Sequence, residues 1–407
     1  MTTTEIREHA LFGTVPDSHE GWIERAAQVA KILASDAVER DRANEQPKAE
    51  VQLLKDSGLV TLLGPREHGG GGANWITAYQ VIREVAKGDG SIGQLLGYHY
   101  LWFWLPRLWG TPEQWQRLEA ESTRNRWLWG GAVNPRDSDL VARDAGDHLV
   151  FSGFKTFSTG GRAADVTILE GVLEGSDDVH VFAVVPAFSE GMAYRGDWDN
   201  LGQRLTESGA IGIHDVRADW NNALGFVNKQ FQGSVYPSLT LPSIQLVFVN
   251  FYTGIALGAV AAAAQYTRDK TRAWLYADVE EATEDPYILE IYGQWGADLA
   301  ALEALVDRAG EAIQSVHDDP DGLTERRRGE IAVLVAKAKV KSTQISLDIT
   351  SNLYQVLGAR ATASSYGFDR FWRNVRTHTL HDPVSYKLKE VGEFTLLDKI
   401  PEPTWYT

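Results

Sequence analysis

The sequence predicts an α+β protein made of a helical zone, a strand-rich zone and a second helical zone. Three observations carry this. Apolar residues recur at helical spacing from Trp22 to about Trp127, as in WIERAAQVAKILASDAVERDRA and EVQLLKDSGLVTLL, with a turn signal at Gly69 to Gly72. From about Leu128 to Gly233 the texture changes to short runs rich in Val, Ile and Phe and punctuated by Gly and Asp, such as HLVFSGFKTFS, DVTILEGVL, VHVFAVVP and GAIGIHDVRA. From Pro242 the helical period returns at 243–272, 285–316, 324–358 and 366–379, with breaks at Asp319-Pro320-Asp321-Gly322 and around Gly358. Four long helices in succession suggest an antiparallel bundle. Blocks of helix, strand and helix argue against an alternating βα fold. At about 150 residues per domain, 407 residues fit two to three domains. We divide them as a helical domain at 1–127, a strand domain at 128–235, and a bundle with a tail at 236–407.

Composition excludes several classes. Hydrophobic residues at 43% and charged residues at 23% describe a globular chain with ample core material. The net charge of −16 repels phosphate backbones and anionic lipid, so neither nucleic acid nor a membrane is expected as partner. With no cysteine there is no disulfide, thiolate metal site or cysteine nucleophile, and no metal site is expected. The first twenty residues read as loosely ordered and lack a basic start followed by an apolar run, which makes the cytoplasm the expected location. Residues 246–264 are uncharged and almost long enough to span a bilayer. A high alanine content, the interruptions Asn250 and Thr253, and flanks without a Lys/Arg cluster make them a helix buried in the bundle instead.

There is no GxGxxG, GxxxxGK[ST], HExxH or GxSxG. The densest polar cluster is YGFDRFWRNVRTHTLHDPVSYK at 366–387. Asp382 before Pro383 predicts a helix start, with Asp382 as the capping acceptor and Pro383 at the first helical position. The preceding helix then ends near Thr379, and His381 falls in the junction. Such a histidine either points its ring into a cavity or holds the two helices together. Arg360, Arg370, Arg373 and Arg376 either hold a phosphate or, the commoner fate, pair with Asp and Glu. Trp, Tyr and Phe number 14 each, and the runs Tyr98 to Trp104 and Trp127 to Trp129 either wall a pocket for a planar ligand or pack between subunits.

Together with the domain order, the segments AVERDRA, SGLVTLLGPREHGG, DGSIGQLLGYH, Asp197 to Gly209, EATEDPY and GFDRFWRNVRTHTLHDPVSYK resemble the acyl-CoA dehydrogenase fold. The closer resemblance is to its two-component flavin monooxygenase branch, typified by the dibenzothiophene monooxygenases. The resemblance implies an N-terminal helical domain, a central β-barrel and a C-terminal four-helix bundle, assembled as a homotetramer. It implies a separate flavin reductase that delivers reduced FMN, O2 as co-substrate, and a hydroperoxide at flavin carbon 4a that passes oxygen to a nucleophilic atom such as the sulfur of an organosulfur compound. The alternatives on the same fold are oxygenation of an aromatic heterocycle such as indole, and an FAD-dependent acyl-CoA dehydrogenase. A dehydrogenase needs a carboxylate near this junction, and an Asp382 committed to capping favours the oxygenase.

Carried over by residue, the resemblance implies that His381, Tyr98 and Thr159 serve catalysis. Phe157, Ser158, Thr159, Trp198 and Ser208 lie along the flavin, and Arg272 and Arg360 hold its phosphate, Arg272 from a neighbouring subunit. Gln94, Tyr98, Trp102, Gly131 and His378 line the substrate pocket. Gln94 stands where the dibenzothiophene enzymes have a histidine, Gly131 where they have an asparagine, and the run Tyr100 to Trp104 is bulkier than theirs.

Overall fold

Helix α1 (His19–Ala34) starts at Ser18, whose hydroxyl accepts from the Gly21 N–H. It is followed by α2 (Ala37–Ala43), α3 (Lys48–Asp56), α4 (Trp75–Gly88), α5 (Gly90–Trp109) and α6 (Pro112–Asn125). A single residue separates α4 from α5: Asp89 is extended, and its carboxylate accepts from the N–H groups of Ser91 and Ile92 at the head of α5. Helix α6 opens with a capping box between Thr111 and Gln114 around Pro112. Helix α5 is buried on nearly every side, which its apolar composition all round requires. The computed structural model describes residues 12–407 except Pro135, Ser138, Asp177, Asp178 and Ser234. Of the leader expected to be loosely ordered, residues 1–11 lie outside the described residues. The remainder is held, because Phe12 is buried and the carbonyls of Phe12 and Thr14 accept from Arg25.

The strand zone forms one curled seven-stranded sheet. Its strands are β1 (Trp129–Ala132), β2 (Val141–Asp144), β3 (His148–Lys155), β4 (Val166–Leu173), β5 (His180–Pro186), β6 (Met192–Tyr194) and β7 (Ile211–Asp219). Strand β4 pairs antiparallel with β5 on one edge and parallel with β1 and then β2 on the other. The antiparallel ladders β2–β3, β3–β7 and β7–β6 complete it. The sheet has its own core of alternating residues, including Ala142, Phe151, Leu169, Val181, Ile213 and Val216. A short hairpin, β8 (Phe226–Val227) and β9 (Gln230–Phe231), precedes the second helical zone.

That zone contains α7 (Thr240–Lys270), α8 (Pro286–His317), α9 (Glu325–Asn352), the short α10 (Tyr354–Leu357), α11 (Asp369–His378) and α12 (Val384–Leu397). The expected segments therefore appear, except that α10 splits off after Leu353. The fourth place in the bundle is shared, since α11 has 10 residues and α12, with 14, also packs on α9. The apolar stretch lies in α7, and 78% of its most apolar window is buried within the chain. It packs on α4, α5 and α9, so helices from both ends of the sequence share one core that runs from Phe12 to Val375.

Candidate active site

Helix α5 carries Gln94, Tyr98 and Trp102 four residues apart, hence on one face. The next two residues bond elsewhere. His99 sits between the Val60 carbonyl, 2.8 Å from Nε2, and the Trp129 N–H, which donates to Nδ1 at 3.0 Å. The Tyr100 hydroxyl donates to the Leu59 carbonyl at 2.8 Å. These two side chains lock α5 onto its neighbours and leave the other face to the site.

On that face the Tyr98 hydroxyl lies 3.2 Å from Nε2 of His378 at the end of α11, and the Tyr252 hydroxyl of α7 lies 2.7 Å from Nδ1. Burial pushes the His378 imidazole well below its ordinary range, with His381 and Lys339 adding to the effect, so the ring is neutral. Burial also raises both tyrosines, assisted by Asp382, and keeps their hydroxyls protonated. His378, expected to line the pocket, is buried with both ring nitrogens engaged by Tyr98 and Tyr252.

His381 occupies the non-helical turn between α11 and α12, as expected, with 40% of its side chain exposed. Its ring stacks on His378 at 5.5 Å and 10° and rests on Phe248 at 4.9 Å. The expected cap is not there. Pro383 takes the capping position of α12 without a side-chain bond, Val384 is the first helical residue, and Asp382 turns inward. Its Oδ1 accepts from the buried Lys339 ammonium at 2.7 Å, its Oδ2 accepts from Gln245 at 3.3 Å, and Oδ1 lies 3.4 Å from Nδ1 of His381. A buried ammonium without a carboxylate is far costlier than an uncapped helix end, so the ion pair wins the aspartate. Burial alone would raise this carboxyl, but Lys339 and then His381 outweigh it and hold it far below the usual range.

The strand zone supplies the opposite wall. Trp102 packs against β1 so closely that a Cβ on Gly131 would sit 2.5 Å from its ring, and the Gly131 N–H donates to the Thr159 carbonyl at 3.1 Å. The Thr159 hydroxyl bonds to Ser208, which bonds to Thr206, both at 2.8 Å. Phe157 is 64% exposed and meets Trp198 edge to face at 6.1 Å. Phe157, Gln203 and Glu207 all hold left-handed backbone, with φ of 53°, 54° and 48°, a concentration of strain typical of functional loops. The 197–209 loop docks on α11 through the Gln203 N–H, which donates to Asn374 at 2.8 Å. It also does so at Gly202, where a Cβ would lie 2.2 Å from the Arg373 carbonyl. Ser158, Trp102 and Gln94 each have a buried side-chain polar atom that makes no hydrogen bond among the described residues.

Among the arginines, Arg373 pairs with Asp41 of AVERDRA and with Asp369, and Arg370 donates to the Gly367 carbonyl at 2.9 Å. Arg272 and Arg360 are exposed. The Thr271 hydroxyl donates to the Val356 carbonyl at 3.3 Å, which brings the segments bearing them to one end of the bundle. Tyr252, Phe248, Gln245 and Lys339 escaped the sequence reading. Their signal is thin: a tyrosine inside the apolar run of α7, and a lysine amid alanines and valines in IAVLVAKAKVKS.

Two family models match the chain, that of the acyl-CoA dehydrogenase N-terminal domain over residues 17–123 and that of the acyl-CoA dehydrogenase C-terminal domain over residues 246–386. The dibenzothiophene monooxygenase of Mycolicibacterium goodii is 41% identical over 399 residues, 95% of this chain and 96% of that one. The structure of the methanesulfinate monooxygenase MsuC of Pseudomonas fluorescens matches with a TM-score of 0.91 at 39% identity, covering 95% of this chain and 99% of that one. TdsC of Paenibacillus sp. A11-2, solved with FMN and indole, matches with a TM-score of 0.90 at 37% identity, covering 96% and 100%. The chain belongs to the acyl-CoA dehydrogenase family, and within it to the flavin-dependent monooxygenases.

Proposed function

We propose that the protein uses reduced FMN, delivered by a separate flavin reductase, to transfer one atom of O2 to a small organosulfur substrate, and that it works as a cytoplasmic homotetramer. One observation carries the choice of oxygenase over dehydrogenase: the carboxylates around the site are committed. Asp382 belongs to Lys339, Glu207 to Arg162 through two bonds of 2.8 Å, and Asp197 to the Ala210 N–H at 2.9 Å. Removal of an α proton from an acyl thioester needs a free carboxylate base. Passing oxygen to sulfur needs a dry pocket and hydrogen-bond donors instead, and Tyr98 and His381 supply the donors.

The residues fit the cofactor. The flat rings of Phe157 and Trp198, the hydroxyls of Thr159 and Ser208, and the hydroxyl of Ser158, which has no partner among the described residues, suit the edge of a polar heterocycle. The exposed guanidinium groups of Arg272 and Arg360 suit its phosphate. Bound there, reduced FMN supplies the electrons that activate O2. This chain's own part is to orient the ring, keep water out with Trp102 and Phe248, and hold protons at Tyr98 and His381. The exposed apolar run Trp274 to Tyr276, immediately after Arg272, supports burial against another copy. The aromatic wall of Tyr98, Trp102 and Phe248 also favours a second reading, oxygenation of a planar heterocycle such as indole.

The test combines the protein with a flavin reductase, NADH, FMN and oxygen, and offers dibenzothiophene, methanesulfinate, simple sulfides and indole. An oxygenated organosulfur product is expected by mass spectrometry, from a particle of four chains by light scattering. If hydrogen peroxide is the sole product with every compound, the reading fails. Retained FAD that an acyl-CoA bleaches without oxygen would replace it by the dehydrogenase.

A further inference from the structure

We propose that Tyr252 is a positioning residue for the reaction: its hydroxyl donates to Nδ1 of His378, fixes that ring in the Nε2–H form, and so leaves the Tyr98 O–H free to donate a hydrogen bond into the pocket. The inference deepens the oxygenase reading and rests on it for what accepts that hydrogen bond.

A neutral imidazole offers one N–H and one lone pair, and His378 is held between two hydroxyls. Two arrangements satisfy it. In one, Tyr252 donates to Nδ1, and Nε2–H donates to the Tyr98 oxygen. In the other, Tyr98 donates to Nε2, and Nδ1–H donates to the Tyr252 oxygen. Each leaves one hydroxyl proton to be placed elsewhere, and the surroundings decide between them. Tyr252 is fully buried in α7. Its ring lies 4.9 Å from Phe251 and 5.6 Å from the Lys339 ammonium, a cation that accepts nothing. The Asp382 carboxylate that also acts on Tyr252 is taken by Lys339 and Gln245, and the Tyr252 hydroxyl has no hydrogen-bond partner other than His378 among the described residues, so a proton left on Tyr252 would be stranded. Tyr98 lies on the face shared with Gln94 and Trp102, where the side-chain oxygen of Gln94, one turn away, is an acceptor that makes no hydrogen bond among the described residues. The distances agree: 2.7 Å suits a phenol donating to a ring nitrogen, and 3.2 Å suits the weaker N–H to phenol oxygen bond. The sense of the chain thus runs from Tyr252 through His378 to Tyr98. His381 stacks on the middle member of that chain.

Two measurements test this, one of which needs no cofactor. In 15N-histidine-labelled wild-type protein, magic-angle-spinning spectra are expected to show His378 protonated on Nε2 with an accepting Nδ1, the signal being the one lost in His378→Gln. A proton on Nδ1, or on both nitrogens, overturns the proposal whatever the enzyme does. Tyr252→Phe removes only the hydroxyl and is expected to populate both ring forms. With reductase, NADH, FMN and whichever of dibenzothiophene, methanesulfinate or indole the wild type oxygenates, it should lower product per NADH about tenfold, with hydrogen peroxide making up the difference and KM for that compound unchanged. Tyr98→Phe with Tyr252→Phe should be no worse than Tyr98→Phe alone, because the two act in series. Full coupling in Tyr252→Phe, or losses that multiply in the double variant, overturns the assignment. If the wild type oxygenates none of the three, the oxygenase reading falls, and the 15N spectrum still decides the role of Tyr252.

Discussion

Two seams meet helix α5, and each is closed by a buried neutral histidine with both ring nitrogens bonded. At the first, His99 lies between a backbone carbonyl and a backbone N–H. Those groups have a fixed sense, so the proton must sit on Nε2 and the joint can transmit nothing. At the second, His378 lies between two hydroxyls that can each give or accept. There the sense is set by which hydroxyl has somewhere else to send its proton. Neighbouring residues of one helix, Tyr98 and His99, thus serve opposite ends: one makes a joint, the other opens a hydrogen-bond chain onto a ligand surface. The second seam also stands on a buried ion pair, Lys339 with Asp382, which presses its ammonium toward Phe248 and Tyr252.

That ion pair should give the largest response. Lys339→Ala leaves the Asp382 carboxylate buried with only Gln245 and the more distant His381, at a cost of about 3 to 5 kcal/mol in urea unfolding. A cost below about 1 kcal/mol would mean that Asp382 is not held charged, and the contrast between the seams would shrink. Acid should probe the other seam next. Burial lowers His99 to about 4, with the Val60 carbonyl opposing it only in part. The unfolded chain, with an ordinary value near 6.5, therefore takes up the proton first as the pH falls, and stability should decline between about pH 6.5 and 4. At about 1.4 kcal/mol per unit, the His99 share is about 3 kcal/mol at most. His317, lowered to about 3 by burial, and His378 act with the same sign. Asp382 works in a lower window: its folded value lies beneath the unfolded one near 3.9, so its contribution persists until the pH drops below about 4. His99→Gln should flatten the upper part of this profile. An unfolding free energy of the wild type that stays level from pH 7 to 4.5 would break the contrast from the other side.

Much of this was legible because periodicity reports burial. The three zones and α7 as a buried apolar helix follow from patterns spanning ten or more residues, and His381 in a turn follows from the helix start signalled by Asp382-Pro383. The face Gln94–Tyr98–Trp102 is helical spacing made visible. What the sequence hid was choice of partner. Asp382-Pro383 reads as a cap by every local rule, and a lysine 43 positions earlier overrides it. Tyr252 looks like filler in an apolar helix until α11 brings His378 within reach. Local signals state what a residue can do, and long-range packing decides which of those options it takes.

The smallest effect belongs where the seams touch, on β1. The Trp129 N–H serves His99, and two residues on, Gly131 lies against Trp102 of the site face. A Cβ on Gly131 would come within 2.5 to 2.8 Å of three Trp102 ring atoms, so Gly131→Ala forces the indole aside or bends the strand. Overpacking of this kind costs about 1 to 3 kcal/mol, and Trp102→Leu in the same chain should recover most of it. Where the strain appears is the informative part. β1 is fixed on one side by His99 and on the other by its pairing with β4, whereas Trp102 has an indole N–H without a partner among the described residues and lies on the site face of α5. The indole should therefore yield, changing KM for the oxygenated compound more than the unfolding free energy. The reverse outcome, unchanged KM with a loss confined to stability, would mean that the site face is as rigid as the His99 joint.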